Sequence, residues 1–177
     1  MKFEIKNRWS GELIFSVEAE NWRFAVEAAI KAKANLSGAN LSGANLSKVN
    51  LSGADLSGAN LSVIKNDFWA VLLHARNEVI ALRKSLIEGN VDGSTYEGSC
   101  ACLVGTIAKA KGCKYDSIPD LTPQSSRPAE RFFLAIRQGD THENNQCSKL
   151  AVEWIDEWVS FLPEVYNATS DQKTIPS

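Results

Sequence analysis

Residues 34–62 run ANLSG ANLSG ANLSK VNLSG ADLSG ANLS, six consecutive units of five with leucine at 36, 41, 46, 51, 56 and 61. A period of five matches neither the 3.6-residue repeat of a helix nor the two-residue repeat of a strand, so neither element would gather these leucines on one face. A flexible linker explains the Ser, Asn and Gly content but not a leucine at every fifth place. The leucines need burial, and a chain that coils to bring them to a common axis provides it.

The units resemble those of the pentapeptide-repeat family, which follow the pattern Ala-(Asp/Asn)-Leu-(Ser/Thr/Arg)-X. The resemblance implies a right-handed quadrilateral β-helix in which each unit forms one side and four form a turn. It implies a solenoid core of Leu36, Leu41, Leu46, Leu51, Leu56 and Leu61, with Leu36 stacked under Leu56, Leu41 under Leu61 and Ala34 under Ala54. Asn, Ser and the fifth residue would face outward, and Gly38, Gly43, Gly53 and Gly58 suit the corners. The array spans about 29 of 177 residues, roughly one and a half turns. So short a stack needs caps at both ends, and Lys31 and Asn66 stand where the next leucines would fall.

The flanks are expected to supply those caps, which makes the fold class α+β. Over residues 2–18, Phe3 and Ile5 alternate with charges, Ser10-Gly11 marks a turn, and Leu13, Phe15 and Val17 alternate on a return strand. Asn21 is placed to cap a short helix with Trp22, Val26, Ala29 and Ile30 on one face. Beyond the array, a long helix is predicted from Asn66 or Asp67 to about Glu88, with the stripe Phe68, Leu72, Ala75, Val79, Leu82 and Leu86. Further helices are predicted from Ser99 to Lys111, from Pro128 to Gly139, and from a Thr141 cap through Cys147, Leu150, Ala151, Trp154, Ile155 and Trp158 to Pro163. Four helices with short links suggest a bundle. The expected domains are a hairpin-and-helix cap (1–33), the β-solenoid (34–63), an α-helical domain (64–166) and a flexible tail (167–177). In this layout the chain is similar to bacteriophage-type pentapeptide proteins.

Charge narrows the function classes. The chain carries 19 Lys and Arg against 21 Asp and Glu, a net of -2. That balance argues against nucleic-acid binding, which favours a basic surface. Residues 1–62 hold 7 bases and 6 acids and residues 63–177 hold 12 and 15, so the two halves differ in sign. No apolar stretch approaches the roughly 18 residues of a membrane span or forms a signal-peptide core. A cytoplasmic protein without membrane attachment is the expectation.

Candidate chemistry is sparse. Cys100, Cys102, Cys113 and Cys147, with His142, have poor spacing for zinc and are read as reduced thiols that pack, leaving no metal and no cofactor expected. His74 is read as a surface residue. Asn90, Asp92 and Gly93 begin like a calcium loop, but Ser99 occupies the position that needs a bidentate Glu, so they are read as turn formers. No catalytic residue is assigned. The resemblance implies instead a non-enzymatic module that binds another protein, with self-association through an open solenoid end or a helical face. Some members of the family imitate duplex DNA and bind gyrase. The array is neutral here, Asp55 against Lys48, so any mimicry would fall to the candidate acidic surface of Glu153, Asp156 and Glu157, within a segment 142–164 of net -4. A thiol- or zinc-dependent enzyme in the helical domain is the remaining alternative.

Overall fold

The first strand, β1 (Lys2–Lys6), pairs antiparallel with β2 (Leu13–Glu18), setting Phe3 opposite Val17 and Ile5 opposite Phe15. The computed structural model describes residues 1–42, 56, 59–96, 98, 101–124 and 126–162. Alternation puts Phe3, Ile5, Phe15 and Val17 on one face, where the Phe3 ring meets Trp22 edge-on at 5.2 Å and Ile5 is buried. Ile14 is the extra residue of a bulge, and Gly11 adopts the left-handed conformation the connecting turn requires. Helix α1 (Trp22–Lys31) follows, capped as expected by the Asn21 side chain, which accepts from the Phe24 N–H.

The hairpin is joined to the repeats by backbone hydrogen bonds. Arg8 N–H donates to the Gly38 carbonyl and Asn40 N–H to the Lys6 carbonyl, each at 2.8 Å, around an antiparallel bridge between Asn7 and Ala39. Asn60 N–H in turn donates to the Ala39 carbonyl at 2.8 Å, giving a parallel bridge between Asn40 and Asn60. Leu36, Leu41, Leu56 and Leu61 are buried. The described residues do not by themselves draw a β-helix, and Leu46 and Leu51 lie outside them.

Among the described residues five α-helices follow rather than four, because the expected long helix is two. Helix α2 (Ser62–His74) starts directly from the last repeat, four residues before the predicted Asn66. It stops at Ala75, a single 3₁₀ turn covers Arg76–Glu78, and α3 (Val79–Ile87) continues. The predicted stripe nevertheless holds, since Phe68, Leu72, Ala75, Val79, Leu82 and Leu86 are all buried. Neither Gly nor Pro occurs between 62 and 88, so no breaker marks the bend. Asp67 is not a cap of its own helix: its carboxylate accepts from the Ala129 N–H at 2.9 Å and faces Arg127 at 3.5 Å, capping the helix that starts at Pro128 instead.

Helix α4 (Leu103–Lys111) begins at a Cys102 N-cap, later than the predicted Ser99, which lies outside the described residues. It ends at Gly112 in the left-handed conformation, as expected. Helix α5 (Pro128–Phe133) has its proline in the first turn as predicted, but stops well before Gly139. Thr141 is not the last cap. It opens a turn in which its N–H donates to Asn144, and Asn145 caps α6 (Gln146–Ser160) by accepting from the Cys147 and Ser148 N–H groups. The α6 stripe is buried as expected, and Pro163 lies outside the described residues. One continuous apolar cluster runs from Ile5 and Val26 through Leu36 and Leu56 to Phe68, Phe133, Trp154 and Trp158. No described helix is long and apolar enough to cross a membrane.

Candidate interaction surface

In the repeats, each described Asn at the second position closes the same local turn. Asn35, Asn40 and Asn60 accept through Oδ1 from the N–H of Ser37, Ser42 and Ser62, two residues on. The turn after the leucine also recurs, since Ala39 N–H donates to Leu36 and Ala59 N–H to Leu56, both at 2.9 Å. These bonds fix the Asn side chains of the described repeats. The resulting face is polar and carries no charge on its described units.

Where hairpin and array meet stands Trp9, 70% exposed. Asn7 Oδ1 accepts from the Trp9 and Ser10 N–H groups, which holds the tip of the hairpin in place. One edge of the indole lies on Gly38, so closely that a Cβ there would come within 2.6 Å of it. The Arg8 guanidinium sits 5.0 Å from the ring centroid. Gly38 has a left-handed φ of 69°, as a turn position requires, and its missing side chain also makes room for the tryptophan. No sequence signal pointed to Trp9, because only the fold brings it onto the array.

The acidic candidates on α6 are brought together and partly neutralised. Arg83 of α3 forms a two-pronged pair with Asp156, at 2.5 and 3.0 Å, and Lys65 of α2 binds both oxygens of Glu157 at 2.6 Å. Lys65 also lies 4.6 Å from the Trp69 ring centroid, and Trp69 donates its indole N–H to the Trp154 carbonyl. These pairs tie α6 to α2 and α3, and they leave Glu153 as the candidate carboxylate with no ion pair among the described residues.

Elsewhere titratable groups are sequestered. Glu130 is buried and accepts from the Tyr96 hydroxyl at 2.9 Å and the Gln124 N–H at 2.8 Å. Burial and that hydrogen bond push the Tyr96 phenol above its ordinary range. Burial pushes the Cys102 thiol up to about 11, with the charge of Glu130 acting in the same direction. Burial and Asp140 likewise raise Cys147. Cys113 is half-buried, and Cys100 lies outside the described residues. His74 is exposed as predicted. Among the described residues no three His, Cys, Asp or Glu side chains are placed to hold a metal ion. A thiol at about 11 is on the order of 0.1% thiolate at pH 8, so iodoacetamide is expected to modify Cys113 well before Cys102 or Cys147. Peptide mass spectrometry checks the order; early modification of Cys102 would contradict it.

A family model described as pentapeptide repeats matches residues 32–62, in eight copies. No curated protein and no solved structure matches the chain.

Proposed function

The chain carries pentapeptide repeats over residues 32–62, and we propose that it is a non-enzymatic module that binds another protein through the junction of hairpin and array. Pentapeptide repeats are generally protein-interaction modules, and the array is read as a quadrilateral β-helix, four units to a turn. The bridge between Asn40 and Asn60 supports that reading, as do the matching turns at Leu36 and Leu56 and the buried leucines. The observation that carries the binding role is Trp9, exposed yet seated on Gly38 beside Arg8. Trp and Arg are the residue types that dominate interface energetics, and a ring already held in place loses little freedom on binding. The similarity of layout to bacteriophage-type proteins supports a host or defence protein as the partner. Mimicry of DNA by α6 is the weaker reading, because Asp156 and Glu157 are already paired with Arg83 and Lys65.

The test is capture from host lysate on immobilised protein, comparing the natural sequence with Trp9→Ala. The variant, with an unchanged circular dichroism spectrum, is expected to bind the captured protein on the order of 30-fold more weakly, the size of a hot-spot loss. Equal capture by both, or no specific capture, would overturn the proposal.

A further inference from the structure

Sheets normally keep their charged strands at the edge, where lysines discourage pairing with another chain. This hairpin reverses that order. The charged strand β1, KFEIK, is the inner one, since the repeats bond to its C-terminal end through Lys6, Asn7 and Arg8. Its Glu4 pairs with Lys2 at 2.9 Å and Lys6 at 3.1 Å. The outer strand β2, LIFSVE, carries no cation and a single acid, Glu18.

The register specifies what the open edge offers. Met1 and Ala19 exchange both backbone hydrogen bonds, at 3.0 and 2.9 Å. In an antiparallel ladder such pairs recur every second residue, so Phe3 with Val17 and Ile5 with Phe15 are bonded pairs. Ser16 and Glu18 therefore turn their N–H and C=O groups away from β1, towards an edge that no strand pairs among the described residues.

We propose that β2 pairs antiparallel with β2 of a second copy, centred on Ser16 facing its own symmetry mate. A second copy is favoured over another strand because the segment is self-complementary in this register. Phe15 then stands opposite the second copy's Val17, twice by symmetry, an aromatic and β-branched pair of the kind that stabilises sheets. Both side chains are half-buried in the single chain and gain cover in the pair. Glu18 falls opposite Ile14, so the two carboxylates lie at opposite ends of the ladder, more than a Debye length apart. The contact is smaller than a standard interface, so the dimer is expected to be weak, with a Kd on the order of tens of micromolar.

Light scattering coupled to size exclusion, over a range of about 5 to 500 µM, tests this with the full chain. The mass is expected to rise with concentration from 19.4 kDa towards twice that value. Ser16→Lys places two like charges at the centre of the ladder and Ser16→Pro removes an outward N–H that the hairpin does not use; both are expected to stay monomeric with unchanged circular dichroism. Backbone exchange at Ser16 and Glu18 should slow as concentration rises. A natural chain that is monomeric throughout, or a dimer that survives both substitutions, would overturn the proposal. Because Trp9 is not part of the ladder, Trp9→Ala should leave the dimer intact, which separates this result from the fate of the partner-binding site.

Discussion

Gly93→Ala is expected to be the most damaging small substitution in the chain. A Cβ at this position would stand 1.8 Å from the Phe133 carbonyl oxygen, 2.4 Å from its carbon and 2.7 Å from the Leu134 Cα. All three are backbone atoms, and the Gly93 N–H is bonded to the Ile136 carbonyl at 2.9 Å, so the two segments cannot part without losing that bond. Overlap of this kind belongs to the extreme tail of substitution effects, at least about 4 kcal/mol. For a chain of this size that lowers Tm by roughly 8–16 °C. Gly112→Ala provides the contrast: its φ of 74° is left-handed but nothing lies within 4 Å, so strain of about 1 kcal/mol is the whole expected cost. Thermal melts of the two variants check the difference, and equal losses would contradict it.

Phe68→Ala is expected to cost about 3–5 kcal/mol, the range for emptying a buried aromatic site. Phe68 is fully buried, its ring 5.5 Å from Phe133 and 6.3 Å from Trp154, so one side chain links α2, α5 and α6. Ile80→Ala, on an exposed residue of α3, should stay within about 0.5 kcal/mol. Urea unfolding of the pair measures the two values directly. A loss below about 1 kcal/mol at Phe68 would show that the site repacks.

Much of this was legible in the sequence because the relevant signals are local. The period of five, the Asn21 cap, the Ser10-Gly11 turn and the stripe from Phe68 to Leu86 depend on residues near one another in the chain. The bend at Ala75 was hidden because a stripe stepping by three and four residues is the same whether or not a 3₁₀ turn interrupts the helix. The caps of α2 and α6 were misplaced for another reason: the choice among nearby polar residues is made by tertiary position, as when Asp67 reaches across to Ala129. Gly93 looked like an ordinary turn former, whereas its constraint comes from Phe133, forty residues away. The candidate surface divided in the same way. Asp156 and Glu157 were visible as an acidic run, but their partners Lys65 and Arg83 lie far off in sequence. Trp9 acquires its role only when the hairpin folds onto Gly38.

The reading of the repeats rests on a stacking distance of one coil per twenty residues, which brings Asn40 beside Asn60. Neighbouring strands place paired Cα atoms about 4.8 Å apart, within the span a disulfide can bridge. The double substitution Asn40→Cys and Asn60→Cys, mildly oxidised and mapped by peptide mass spectrometry, therefore tests that stacking directly. The account predicts a bond between 40 and 60 and none in the control pair Asn40→Cys and Asp55→Cys; failure of the first pair to close, or equal closure of the control, would contradict it.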